Sequence, residues 1–242
     1  MKYCYFILLL ALFNIGCEED IRHIESYTIP PFSSLKASGT FHIVLNTTSS
    51  TLSFETNNET LEGFNWKVEG QTLSLERSSS RAWEESQLPT VYLPATTLKS
   101  LQLYHHYGQV INHTPISTPS FQLFTNSSMS DVQLTLHSEK VSVRSNSGSP
   151  ITLNGSCSEL IIYFDYISGN FSASSLFAEQ LQASHVFITH KSAGNITVFP
   201  VTTLQSENFS FGDIIYVNQP KQLNISNHGK GETYFKPQRR IP

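Results

Sequence analysis

Apolar pairs recur through the second half of this chain at intervals close to 20 residues. They are Leu101/Leu103, Phe121/Leu123, Val141/Val143, Leu160/Ile162, Leu181/Ala183, Leu204 and Leu223/Ile225, the interval stretching to 23 before Leu204. A second apolar cluster follows in each unit: Val110/Ile111, Val132/Leu134/Leu136, Ile151/Leu153, Phe171/Ala173, Ile196/Val198 and Ile214/Tyr216. Small-residue turns lie between the clusters, among them Asn146-Ser147-Gly148-Ser149, Ile167-Ser168-Gly169-Asn170 and Phe211-Gly212-Asp213. A fixed period of this length marks a stack of supersecondary units, because no unit can bury its apolar edge alone. The expectation is an all-β protein, a β-solenoid with coils of about 20 residues, whose aligned Ser, Thr and Asn side chains bond along the stack. A β-sandwich of Greek-key type is the alternative with the same repeat.

Period-two alternation supports strands throughout: Phe41, Ile43, Leu45; Leu52, Phe54; Trp66, Val68; Leu73, Leu75; Val91, Leu93. Only Leu176 to Gln182 reads as a single helical turn. The 39% hydrophobic content is too high for a disordered chain, and Ala, Glu and Lys are too sparse for a helical one.

The first residues read as an export signal. Lys2 precedes a nine-residue apolar core, Tyr5 to Phe13, which is too short for a bilayer span of roughly 20 residues. Gly16-Cys17 then resembles a bacterial lipobox, although Asn14 departs from the usual Leu. The reading is a lipoprotein signal peptide over 1–16, lipidation at Cys17, a tether over 17–28, and membrane attachment through that anchor. An ordinary signal peptide cut elsewhere is the alternative. Glu18-Glu19-Asp20 resembles the export tag of Bacteroidetes surface lipoproteins; a solvated linker is the other reading. Of three cysteines, Cys4 lies in the leader and only Cys157 lies in the body, so packing must hold the fold. Cys157 reads as a buried small hydrophobe.

The body divides into an N-terminal β region (29–95), the repeats (96–236) and a tail (237–242). Ile29-Pro30-Pro31-Phe32, Ala37-Ser38-Gly39-Thr40-Phe41, the Leu-Pro strand Val91-Tyr92-Leu93-Pro94 and Ile215-Tyr216-Val217-Asn218-Gln219-Pro220 carry a resemblance over about 29–235. They resemble the auto-transporter adhesin head GIN domain family, once a domain of unknown function. Its Gly-Ser-Gly turns are matched here only by degenerate forms. The resemblance implies a right-handed, pectin-lyase-like β-solenoid (a single-stranded β-helix), no preserved catalytic residues and a role in adhesion.

Chemistry-bearing residues are thinly spread. A net charge of −4 leaves no electrostatic footprint for nucleic acid. After Asp20, the aspartates Asp131, Asp165 and Asp213 stand alone beside turns, without the carboxylate pair that glycoside chemistry needs. Glu84-Glu85, near Arg77 and Arg81, reads as a solvated loop. His105 and His106 are adjacent and face opposite ways in a strand, and His185 and His190 lack the companions of a zinc site. No catalytic residue, metal site or cofactor is therefore expected. Nine Asn-x-Ser/Thr triplets read as a by-product of Asn-rich turns. The candidate ligand contacts are aromatic: Tyr104, Tyr107, Tyr163 and Tyr166, with Phe121, Phe124 and Phe164 nearby. The alternative is that they fill the interior.

The function expected is a non-catalytic binding or adhesion module, exported and lipid-anchored at the outer membrane or cell surface, with a glycan or protein ligand. A polysaccharide-lyase-like enzyme and a purely structural envelope protein are the alternatives. The sequence sets no oligomeric state.

Overall fold

The computed structural model describes residues 23–46, 50–56, 63–78, 88–166 and 173–237. Cys4, Cys17, the acidic run after it, Arg81, Glu84-Glu85, the turn at 167–170 and Phe171 lie outside the described residues.

Seventeen strands form one hydrogen-bonded network, and there is no helix among the described residues. In chain order they are β1 (His23–Thr28), β2 (Ser34–Thr40), β3 (His42–Asn46), β4 (Thr51–Thr56), β5 (Phe64–Glu69), β6 (Thr72–Arg77), β7 (Thr90–Pro94), β8 (Ser100–Tyr107) and β9 (Gln109–Asn112). The long strands follow: β10 (Ile116–Asn126), β11 (Asp131–Asn146), β12 (Pro150–Phe164), β13 (Ser175–His190) and β14 (Ile196–Asn208). Short strands end the sheet: β15 (Ile214–Tyr216), β16 (Gln222–Asn227) and β17 (Thr233–Phe235).

Strands β11 to β13 exceed the usual five or six residues because each turns corners and serves three ladders in succession. Three ladders result. In the first, Leu35, Leu101, Leu123, Val143, Ile162, Ile188, Ser206 and Ile225 are successive parallel partners. In the second the partners are Ile43, Val110, Val132, Ile151, Leu176, Ile196, Ile214 and Thr233. A shorter third ladder joins Thr118, Ser138, Cys157, Ala183 and Pro200. Units about 20 residues apart therefore lie on one another in parallel, not in the antiparallel pairs of a Greek key. The apolar members of the first two ladders are buried from Leu35 to Ile214 and form one core.

Three sequence expectations are corrected. Residues Leu176 to Gln182 are strand, within β13, and not a helical turn. The unit after Leu160/Ile162 is represented in the first ladder by Val186/Ile188, whereas Leu181/Ala183 lies in the third. The second-ladder position belongs to Leu176/Ala178; Ala173 is exposed. In addition, His23–Thr28, assigned to the tether, pairs with β4 as β1.

Corners carry their own chemistry. Buried hydroxyls bond from unit to unit: Thr125 Oγ1 lies 2.6 Å from Ser145 Oγ, and Ser145 bonds to both Ser147 and Ser174. Such pairing satisfies groups that burial would otherwise strand. At Gly155 (φ +108°) a Cβ would lie 2.1 Å from the Leu136 carbonyl oxygen of the unit before, so only glycine fits that approach. The N-terminal end of the stack is finished differently. Its added strands are antiparallel (β1 on β4, β4 on β7, β5 on β6), and Phe64, Trp66 and Val68 pack against the core.

Candidate binding surface

The outer face of the first ladder holds two of the four sequence-predicted tyrosines, Tyr104 and Tyr163. Side chains alternate across a strand, so the residues flanking Leu123, Val143 and Ile162 turn outward. Register makes Gln102, Phe124, Arg144, Tyr163, Thr189 and Glu207 successive neighbours on that face. Tyr104 leans on Phe124 edge-to-face, with ring centroids 5.5 Å apart. The Arg144 guanidinium lies 5.9 Å from the Phe124 ring centre and 5.3 Å from that of Tyr163. Lys191 stands 5.5 Å from the same Tyr163 ring and donates to its hydroxyl at 3.4 Å. That contact raises the Lys191 pKa and holds the ammonium charged. Tyr163 in turn donates to Asp165 Oδ2 at 3.1 Å. Further along, Phe209 stacks on His228 at 4.6 Å.

These contacts make a half-exposed stripe of alternating rings and cations. Ring faces attract the cations, and the cations hold the rings at fixed spacing, which reduces the entropy lost on docking a ligand. Beside Tyr104 the stripe opens into a groove of about 480 Å³ bordered by Lys36, Ser38, Trp66, Lys67 and Glu76. The surface presents aromatic edges, amide and hydroxyl groups and four cationic heads, those of Lys36, Lys67, Arg144 and Lys191.

The structure brings Tyr104 and Tyr163 into this stripe. Tyr166 stands at its margin, 62% exposed, with its backbone N–H on Asp165 Oδ1. Tyr107 ends the same strand, β8, but lies past the bend at His105 (φ +47°), and its carbonyl accepts the Phe41 N–H. Phe121 and Phe164 fill the interior. Sequence reasoning missed Arg144, Lys191 and Phe209. A signal for Arg144 was present: it falls 20 residues after Phe124 and 19 before Tyr163, the same spacing as their apolar neighbours.

The three aspartates are engaged locally. Asp131 accepts from Gln133, Asp165 from Tyr163 and Tyr166, and Asp213 from the Glu232 N–H. No cluster of three or more His, Cys, Asp or Glu side chains suited to a metal occurs among the described residues. His105 is exposed while His106 is fully buried; the positive φ at His105 makes a bulge that resets the alternation after Tyr104. Cys157 is buried in the third ladder, and burial, aided by Glu159, pushes its thiol up to about 12, which suits packing and not nucleophilic attack.

Solved structures with similar folds come from Bacteroides and Parabacteroides species. One from Bacteroides fragilis, described as a putative adhesin, is 16% identical and has a TM-score of 0.79, covering 89% of this chain and 97% of its own. A putative lipid binding protein from Parabacteroides distasonis is 13% identical with a TM-score of 0.60 (89% and 98% covered). A putative adhesin from Parabacteroides merdae is 15% identical with a TM-score of 0.58 (89% and 97% covered). At these identities the likeness is one of fold. No curated protein matches the sequence. Residues 31–220 match the sequence model of the family described as "Putative auto-transporter adhesin, head GIN domain", and the chain belongs to that family.

Proposed function

We propose that this chain is a non-catalytic glycan-binding module displayed at the bacterial cell surface on a lipid anchor at Cys17. The observation that carries the reading is the ring-and-cation stripe from Tyr104 through Phe124, Arg144 and Tyr163 to Lys191. A sugar polymer presents apolar ring faces and a line of polar groups, and a periodic wall of aromatics and cations complements both. The three parallel ladders support reading the body as a right-handed β-solenoid. In such a rod the contacts would repeat once per coil, so affinity would grow with ligand length, and many copies on one cell would add avidity. The adhesin description of the family supports a surface role. The short apolar leader ending at Gly16-Cys17 supports the anchor, two acyl chains being enough for stable membrane attachment. Cell attachment would be the biological outcome.

A glycan array probed with the full chain, then with Tyr163→Ala and Arg144→Ala, tests this reading. We expect at least one glycan class to bind, and each variant to weaken binding about tenfold, which is ~1.4 kcal/mol. Both side chains are outward-facing, so the variants should melt like the parent. Binding unaffected by either substitution, or no glycan bound up to about 1 mM, rules the stripe out as the binding site.

A further inference from the structure

We propose that two copies of this chain pair tail to tail through the free edges of β16 and β17. The C-terminal end of the stack is hydrogen-bonded on one side only: β16 pairs with β14 and β17 with β15, and no described strand follows either. Positions that are buried one unit earlier stand open here. Leu204 is 0% exposed, whereas its partner Leu223 is 43% exposed; Tyr216 is 6% exposed, whereas its partner Phe235 is 42% exposed. A stack whose last unit shows both unpaired backbone and inward-facing apolar side chains needs a cover that brings a strand of its own.

The chemistry of the edges selects a second copy as that cover. At the N-terminal end the outermost strands carry charges, Glu25 in β1 and Lys67 and Glu69 in β5, a pattern that blunts edge pairing. Neither β16 (QLNISN) nor β17 (TYF) contains a charged residue. Charges flank β17 instead, Glu232 before it and Lys236 after it, and both are exposed. Two β17 strands set antiparallel about Tyr234 place Glu232 opposite the other copy's Lys236, and Thr233 opposite its Phe235. Outward residues then meet outward residues and inward ones meet inward ones, as a pleated pair requires. Two β16 strands set about Asn224 likewise place Leu223 opposite Ile225. A contact between identical surfaces closes on itself as a dimer, whereas the charged N-terminal edges disfavour the head-to-tail contact that would grow a filament. The dimer would set two binding stripes on one rod, each copy's N-terminus pointing away from the junction.

Sedimentation velocity on the full chain in mild detergent, followed across concentration, tests this proposal. We expect a reversible monomer–dimer equilibrium with no larger species. Glu232→Lys sets like charges opposite each other at two places in the interface, and should weaken dimerisation at least about tenfold. Adding Lys236→Glu restores opposite charges and should bring the constant back to within about threefold of the parent. Both sites are exposed, so the variants should keep the parent's circular dichroism. A chain that is monomeric up to about 100 µM, a polymer instead of a dimer, an unaffected Glu232→Lys, or a double variant without rescue would each overturn it.

Discussion

Val141 has no exposed surface and lies between Phe121 and Leu160 in the first ladder, with the core on its inner side. A carboxylate placed there meets neither a cation nor water, and an uncompensated buried charge is strongly destabilising. Val141→Asp should therefore cost about 3 kcal/mol or more, read as a fall in urea midpoint; an unchanged midpoint would mean that the side chain faces outward. His106 shows how the interior treats a polar ring. It packs edge-to-face on Phe41 at 4.7 Å, and Nδ1 shares a 2.6 Å hydrogen bond with Ser130 Oγ. Burial, with a smaller contribution from His42, lowers its pKa to about 3, and burial lowers that of His190 to about 4. In the unfolded chain both take up a proton near 6.5, so the unfolded state binds more protons below that pH. The stability that the neutral rings provide is complete above 6.5 and is lost as pH falls toward 4 and 3. The slope is roughly 1.4 kcal/mol per pH unit for each histidine. His106→Gln should remove its share, about 2 kcal/mol between pH 6.5 and 5. Urea midpoints at those two pH values, compared between variant and parent, check it; the same pH dependence in both would mean that His106 takes no part.

Among the elements, legibility depended on whether alternation ran unbroken. Leu101/Leu103, Phe121/Leu123, Val141/Val143 and Leu160/Ile162 keep period two between corners, and all of these side chains are indeed in the core. Strand β13 defeated the same reasoning. Leu176, Ala178, Leu181, Ala183, Val186 and Ile188 all point inward, but the chain bends twice between them, and each bend resets the alternation. The resulting spacing of 2, 3, 2, 3 and 2 imitates part of a helical stripe, hence the expected helical turn. It also made Leu181 look like the next member of the first ladder, because an inward leucine on one side of the stack is indistinguishable in sequence from one on another. The ring-and-cation stripe was half legible for a related reason. Parity alone turns Tyr104 and Tyr163 outward, but their alignment with Arg144 and Lys191 depends on register, and the longer step from Ile162 to Ile188 hides it. Tyr107 stands apart because the positive φ at His105 takes it off the line that Tyr104 follows.

At the scale of the whole molecule, contacts from β10 to β17 are nearly confined to units adjacent in the sequence, so the stability of that part of the stack approximates a sum of unit terms and neighbour terms. The worth of a given apolar side chain then depends on how many neighbours its unit has. Leu160 and Leu223 occupy matching positions in the first ladder, three units apart, but Leu160 is enclosed by Val141 and Val186 whereas Leu223 has Leu204 on one side and nothing described on the other. Leu160→Ala removes a fully buried side chain between two filled layers and should cost about 2–5 kcal/mol. Leu223→Ala, in a chain kept dilute enough to be monomeric, should cost less than about 1 kcal/mol, since its side chain is already 43% exposed. The contrast follows from the layering of the core, in which the worth of a side chain depends on whether a unit lies on both sides of it. Equilibrium unfolding of both variants at low concentration provides the comparison, and equal losses would contradict the layered description. Repeating Leu223→Ala at high concentration adds a second readout, because an interface formed by the last coil would bury that side chain and raise its cost only where dimer is populated.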